Sequence, residues 1–202
     1  MLLVSLSIHE AAHAWTADRC GDATARLQGR VSLNPIVHID PIGTLLLPLV
    51  AIASHLPIIG WAKPVPVNPR YLRRPRRDFV LVAAAGPLSN FLQAFIAAII
   101  LRGVVTVASP DAFTFGGPWQ LVENVLGLAV QINVLLALFN LIPVPPLDGG
   151  NVLAGLLPIQ AAPAFVQVRR YGFLLLYVLM LSGALNALLS PPMNLFMRVL
   201  IP

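Results

Sequence analysis

The sequence predicts an all-α polytopic membrane protein with about four to six transmembrane or re-entrant helices. The chain is 57% hydrophobic and only 10% charged, and its mean hydropathy is +0.81. A soluble domain is roughly half apolar and about a quarter charged, and it could not bury this much aliphatic surface. The apolar residues also occur in long runs, as spanning helices of about 20 residues require. We therefore predict a single membrane domain over residues 1–202.

The net charge of +5 could indicate nucleic-acid binding, but the arginines stand beside apolar runs. That position favours contact with anionic headgroups of a lipid bilayer, so we expect no nucleic-acid partner. Cys20 is the only cysteine, which excludes an intrachain disulfide and a cysteine-based metal cluster. The sequence leaves the oligomeric state open.

The first part of the chain predicts a helix, a loop and a segment with two alternative courses. Residues 2–17 are apolar and predict a helix about 24 Å long, slightly short of the roughly 30 Å hydrocarbon core. Residues 18–41 are polar and rich in turn signals, which is typical of a surface loop. Residues 42–59 are apolar but contain Pro48 and Pro57, so this segment is either a kinked span or a re-entrant hairpin.

Basic residues predict the topology of the remaining segments. The loop 60–78 holds six of the 13 basic residues, and the positive-inside rule places it in the cytoplasm. Three predicted spans follow, at 79–101, 119–142 and 171–189, and they cross outward, inward and outward again. Three arginines in the loop 18–41 favour the cytoplasmic side for that loop as well, and hence the re-entrant course for 42–59.

Residues 9–13 read His-Glu-Ala-Ala-His, which is an H-E-x-x-H motif. Histidines four apart on a helix share one face, so both His9 and His13 can offer a ring nitrogen to one zinc ion. Glu10 can accept a proton from zinc-bound water, whose pKa the metal lowers toward neutrality. Coincidence would produce this pattern in roughly one such chain in a thousand, and ionisable residues inside an apolar segment are functional by default. The motif predicts a catalytic centre with one zinc ion per chain.

A catalytic zinc usually has three protein ligands, so one more must come from elsewhere in the chain. Asp148 is our candidate, because it follows a proline-rich stretch at the inner end of a span, where irregular backbone must line a cavity. The alternative is an ordinary aspartate in a Pro-Leu-Asp-Gly turn. His38, which stands two residues before Asp40, is the main rival ligand, and we interpret it as a residue that positions other groups.

Taken together, the motifs resemble those of the site-2 proteases, a family of zinc intramembrane metalloproteases, and in particular their compact branch without a PDZ or nucleotide-sensing domain. The resemblance covers nearly the whole chain. It is carried by His9-Glu10-x-x-His13, Gly29-Arg-Val-Ser-Leu-Asn34-Pro35, His38-Ile-Asp40-Pro41, Gly60-Trp-Ala-Lys-Pro-Val-Pro-Val-Asn68-Pro69, Ala85-Gly86-Pro-Leu-Ser-Asn90 and Asn140-x-x-Pro143-x-x-Pro146-x-Asp148-Gly149.

The resemblance implies a role for each motif residue. His9, His13 and Asp148 correspond to the zinc ligands of that family, and Glu10 corresponds to its catalytic base. Asn140 corresponds to a substrate-binding residue. Gly86 and Asn90 are implied to pack beside the active site, with Asn90 a candidate oxyanion donor. For both asparagines the alternative is an amide tie between membrane helices.

The implied activity is zinc-dependent cleavage of peptide bonds within or near transmembrane segments, as in regulated intramembrane proteolysis. We expect a multi-pass protein of the bacterial inner membrane, with its active site toward the cytoplasmic side. A helix shields its carbonyl groups by hydrogen bonding, so we expect substrates with helix-breaking transmembrane segments. The alternative is a zinc-binding membrane carrier or sensor without hydrolytic activity. Glu10 favours the protease, because a carrier or a sensor needs only metal ligands, whereas the activation of water explains a glutamate that is not a ligand.

Overall fold

The computed structural model describes residues 1–54, 62–107 and 117–201. Over these residues the chain is helical and contains no strand, which confirms the predicted all-α class. The chain divides into two compact units, an N-terminal unit (Leu2–Gly86) and a C-terminal unit (Pro87–Pro202, grouped with Met1). Each unit has its own set of packed helices.

The N-terminal unit begins with helix α1 (Leu2–Cys20), which continues about one turn beyond the predicted end at residue 17. Gly21 follows it with a φ of 113°, a left-handed backbone conformation that glycine adopts without strain and that commonly ends helices. The short helix α2 (Thr24–Leu27) and a 3₁₀ turn (Pro35–His38) both pack against α1. Asn34 caps this turn by accepting the N–H of Ile36.

The predicted segment 42–59 begins as helical structure. A π-helical stretch covers Pro41–Leu46, and helix α3 covers Leu47–Ala53. Residues 55–59 of the segment, with the first two residues of the basic loop, lie outside the described residues. Whether the segment spans the bilayer or re-enters therefore stays a prediction.

Helix α4 (Pro75–Val107) begins in the N-terminal unit and continues through Pro87 into the C-terminal unit. At its start, Val82 joins Ala17 of α1 and Leu72 in a small buried core. The described helices of the C-terminal unit then follow in order: α5 (Pro118–Asn140), α6 (Asp148–Leu156), α7 (Ala162–Arg170), α8 (Gly172–Leu181) and α9 (Ala184–Leu200).

One of the two buried cores that the structure describes in the C-terminal unit is made largely of small residues. Ala94, Ala97 and Ala98 of α4 pack with Ala129 and with two valines of α5, and all of them are buried. Small side chains let helix backbones approach closely, which is the usual way in which membrane helices associate. The composition of this core therefore agrees with a protein that packs its helices inside lipid.

Two of the described helices are long and apolar enough to cross a membrane. They are Pro75–Val107 and Trp119–Asn140, each with a hydropathy of 1.8. Helices α8 and α9 pass the same test only as a pair, and they are bent by 77° at the break between them. Gly183, with a φ of 74°, lies in this break, so the range predicted as a single span at 171–189 holds a bent helix pair.

Candidate metal centre

Both histidines of the H-E-x-x-H motif are buried on α1. His9 is 4% exposed and His13 is 8% exposed. Their Nε2 atoms lie 3.1 Å apart, and the two rings meet edge to face at 83°. Two nitrogens bound tetrahedrally to zinc at about 2.0–2.1 Å would be about 3.3 Å apart. The spacing of the histidine pair therefore fits a single zinc ion between the two nitrogens.

The hydrogen bond at the other side of the His13 ring determines which nitrogen can bind a metal. Nδ1 of His13 lies 2.7 Å from the carbonyl oxygen of Val82 on α4. A carbonyl oxygen only accepts, so Nδ1 must carry the proton and donate it. Nε2 is then the nitrogen with a lone pair, which is the form that ligates a metal.

Gly86 lies one helical turn after Val82 and brings α4 against the two imidazoles. A Cβ at this position would lie 2.6 Å from Cε1 of His9 and closer still to Nε2 of His13. No side chain can occupy that space while the rings stay in place. Only glycine therefore allows this part of α4 to pack against the histidine pair.

Glu10 is half-buried and is held by the backbone of the segment after residue 61. Its Oε2 accepts a hydrogen bond of 3.1 Å from the N–H of Val65. The same segment is fastened to the 3₁₀ turn, because the N–H of Lys63 donates to the carbonyl oxygen of His38 at 2.8 Å. The carboxylate of Glu10 thus has a fixed partner that is distant in the sequence.

The His38 side chain is fastened within its own loop. The residue is 3% exposed, and its Nε2 lies 2.8 Å from the carbonyl oxygen of Ser32. Its Nδ1 is buried and has no hydrogen-bond partner among the described residues. The ring borders a cavity of about 10 Å³ that Leu6 and Ser7 also line. The positioning role of His38 therefore stays a prediction.

Asp148 is the first residue of α6 in the C-terminal unit, and it is half-buried. The loop before it is packed tightly against glycines. A Cβ at Gly150 would lie 2.6 Å from the backbone nitrogen of Pro145, and a Cβ at Gly172 would lie 2.7 Å from the Pro145 carbonyl carbon. Gly150 is a neighbour of Asp148 in the sequence, but Gly172 is the first residue of α8. The sequence analysis did not predict the contact of Gly172 with Pro145. The only signal for it in the sequence is a glycine at the start of a helix.

Asn90 and Asn133 form a buried amide pair within the C-terminal unit. The side-chain amide of Asn90 donates to Oδ1 of Asn133 at 2.9 Å, and the amide of Asn133 donates to the carbonyl oxygen of Ala129 at 2.9 Å. Asn90 is fully buried and Asn133 is 4% exposed. The pair links α4 to α5. An amide tie between helices is the alternative interpretation of Asn90 given by the sequence. Asn133 was not predicted, although an asparagine in an apolar run is a recognisable signal.

Asn140 is the last residue of α5, and it is half-buried. Its side-chain amide donates to the carbonyl oxygen of Leu136 at 3.0 Å, one turn earlier in the same helix.

The predicted site residues fall into two groups. His9, Glu10, His13 and His38 belong to the N-terminal unit, whereas Asn90, Asn140 and Asp148 belong to the C-terminal unit.

Comparison with known proteins identifies the family. Residues 1–183 match Peptidase family M50. YwhC of Bacillus subtilis (strain 168), named as a candidate zinc metalloprotease, is 39% identical over 195 residues, which are 96% of this chain and 84% of YwhC. Two proteins named Rip2, also candidate zinc metalloproteases by name, are 33% identical in Mycolicibacterium smegmatis and 31% identical in Mycobacterium tuberculosis H37Rv.

The two Rip2 alignments each cover 91% of this chain and 66% of the relative. No solved structure matches the chain. The family match extends over the H-E-x-x-H motif and over Asp148, and it agrees with the buried histidine pair on α1. The chain therefore belongs to Peptidase family M50, the site-2 protease family of zinc metalloproteases.

Proposed function

We propose that this chain is an intramembrane endopeptidase that cleaves peptide bonds within or near transmembrane segments of other membrane proteins. The observation that carries the proposal is the pair of buried Nε2 atoms of His9 and His13, 3.1 Å apart on α1. Two ionisable side chains buried side by side in a helix of a membrane protein indicate a functional site, and a shared cation fits their spacing. Family membership identifies that cation as zinc.

His9, His13 and Asp148 would hold one zinc ion, a ligand set that leaves a fourth position for water or substrate. When bound, the zinc lowers the pKa of a water molecule and polarises the scissile carbonyl group. Two features of the chain fit this ion. The carbonyl of Val82 fixes the metal-binding tautomer of His13, and the absent side chain of Gly86 leaves room for both rings.

Glu10 would act as the general base. Its Oε2 is held by the N–H of Val65, so the other carboxylate oxygen is the one that we assign to accept the proton of the attacking water. The same carboxyl group would then deliver this proton to the nitrogen of the departing amine. A backbone hydrogen bond that fixes the carboxylate reduces the reorganisation needed during the reaction.

The amide side chains would bind the substrate. Asn140, at the end of α5, is our candidate for binding the substrate backbone. Asn90 is the candidate oxyanion donor, but one N–H of its amide already donates to Asn133. Asn133 would therefore position this amide relative to the oxyanion.

The membrane setting follows from the helices and the charges. The two candidate spans support a multi-pass protein, and the arginines just before α4 support a cytoplasmic position for the start of that helix. We place the protein in the bacterial inner membrane with its active site toward the cytoplasm. Substrates would need a segment that unwinds easily, because a regular helix protects its carbonyl groups.

The test compares wild type with Glu10→Gln on a panel of single-span membrane proteins. The substitution keeps the size and hydrogen-bonding reach of the side chain but removes the carboxylate that accepts the proton. We expect Glu10→Gln to keep its zinc and to lose cleavage by about 10²-fold or more. Products are identified by mass spectrometry and zinc by elemental analysis.

Two results would contradict the proposal. Cleavage by Glu10→Gln at the wild-type rate would remove the role assigned to Glu10. The protein would instead be a carrier if wild type binds zinc but cleaves no member of the panel, and if Glu10→Gln transports zinc as well as wild type does. His13→Ala is the matched control, because it should lose both zinc and cleavage.

A further inference from the structure

Exposed basic and aromatic side chains gather at the C-terminal end of α1. Trp15 is 53% exposed, and the guanidinium group of Arg19 lies 5.0 Å from the centre of its ring. Tyr71 is 62% exposed. Arg70, Arg73 and Arg74, on the turn that leads into α4, are also exposed. We call these six residues the basic rim.

Contacts within the N-terminal unit hold the two parts of the rim together. Leu72 is 4% exposed and packs in one core with Ala17, which lies between Trp15 and Arg19 on α1. The N–H of Arg73 donates to the carbonyl oxygen of Cys20 at 3.0 Å. Because Leu72 is buried, its neighbours on both sides are presented to the surroundings at the end of α1.

The carboxylates near the rim are engaged by other groups. Asp22 is fully buried and accepts the N–H groups of Thr24 and Asn68. Asp78 is 7% exposed, and its carboxylate accepts the N–H of Arg74 at 2.8 Å. Residues 70–78 contain five arginines against one aspartate. The end of α1 therefore carries a concentrated positive charge.

We propose that the basic rim binds the phosphate headgroups of anionic phospholipids. A guanidinium group offers a planar pair of N–H donors that matches two phosphate oxygens. Tryptophan and tyrosine favour the same depth, because their rings sit among the headgroups with one apolar and one polar side. The basic rim combines guanidinium groups and aromatic rings on one short surface. This inference does not depend on the proposed peptidase activity.

Headgroup binding at the rim would set the depth of the histidine pair. Arg19 follows His13 by six residues and His9 by ten, which is about 9 Å and about 15 Å along a helix. An α1 fixed at the phosphate level by Arg19 would therefore keep both histidines within one leaflet. A lipid surface would thus position the metal centre relative to its substrates.

The experiment measures lipid selectivity. Protein is reconstituted in nanodiscs that contain equal amounts of phosphatidylglycerol and phosphatidylcholine, and lipids retained after gentle detergent extraction are counted by native mass spectrometry. The test variant carries Arg70→Gln, Arg73→Gln and Arg74→Gln. The matched control carries Arg169→Gln, Arg170→Gln and Arg198→Gln, which remove the same charge from exposed positions in the other unit.

We expect wild type and the control variant to retain phosphatidylglycerol preferentially, and the rim variant to lose this preference by roughly tenfold or more. Inorganic phosphate at 10 mM should not displace the retained lipid. Equal losses in both variants would show a general charge effect and overturn the proposal. Displacement by phosphate would identify an anion site instead of a lipid surface. If the rim variant does not fold, the single variants Arg70→Gln, Arg73→Gln and Arg74→Gln decide, and a full wild-type preference in all three contradicts the proposal.

Discussion

At the scale of single residues, the histidine pair depends on backbone groups of α4. The carbonyl oxygen of Val82 receives the Nδ1 proton of His13, and the missing side chain of Gly86 makes room for both rings. Neither contribution comes from an ionisable side chain. Partners of this kind orient a metal ligand, and losing them typically lowers metal affinity about 10- to 100-fold.

The prediction at this scale is that Gly86→Ala lowers zinc affinity by about tenfold or more. The added methyl group would collide with the imidazoles of His9 and His13 and push them apart. Competition with a zinc chelator measures the affinity. Gly103→Ala is the matched control on the same helix, because a Cβ there meets nothing within 4 Å. Equal affinities for the two variants would mean that the contact with α4 does not set the ligand geometry.

At the scale of elements, the loop before α6 is fixed by backbone contacts. Asp148 begins α6 directly after this loop, and Gly172 at the start of α8 packs on the carbonyl group of Pro145. Contact between backbone atoms cannot be relieved by turning a side chain. The position of Asp148 therefore depends on a residue that is 24 positions later in the sequence.

The prediction at this scale concerns Gly172→Ala. The new methyl group would displace the carbonyl group of Pro145 and with it the start of α6, so zinc affinity should fall about tenfold. Gly127→Ala, at an open position on α5, is the control and should keep wild-type affinity. Thermal unfolding is measured without zinc and with zinc. A purely structural effect would lower both melting temperatures equally, and that result would contradict a positioning role for Gly172.

The same elements show which parts of the site could be predicted from the sequence. The histidine pair is local, because four-residue spacing on a helix brings two rings to one face whatever the rest of the chain does. The contacts of Val82, Val65 and Gly172 depend on which backbones approach each other, and the sequence carries no local signal for that. Asn133 likewise gains its meaning only when α4 and α5 pack together.

At the scale of the whole molecule, composition predicted the fold class but not all helix boundaries. The excess of apolar residues predicted membrane helices, and the all-α class is confirmed over the described residues. The bend between α8 and α9 was not predicted, because hydropathy measures only how apolar a segment is. The backbone conformation of Gly183 at the bend is set by local geometry, to which an average over many residues is insensitive.

Topology is the prediction that belongs to this scale. In a Cys20→Ser background, single cysteines at Arg73 and Arg169 should react with a membrane-impermeant thiol reagent only from the cytoplasmic side. A cysteine at Asp111, which lies outside the described residues, should react only from the opposite side. Labelling of inside-out and right-side-out vesicles measures this. The reverse pattern would contradict the orientation proposed for the active site.

The central claim is that His9, His13 and Asp148 bind one zinc ion, and X-ray absorption at the zinc edge tests it most directly. Wild type should show two imidazole ligands and only nitrogen or oxygen neighbours. Asp148→Cys, in a Cys20→Ser background, should add one sulfur neighbour at about 2.3 Å while both imidazoles remain. Zinc that stays bound to Asp148→Cys with no sulfur neighbour, or a third imidazole in wild type, would contradict the assignment of Asp148 as a ligand.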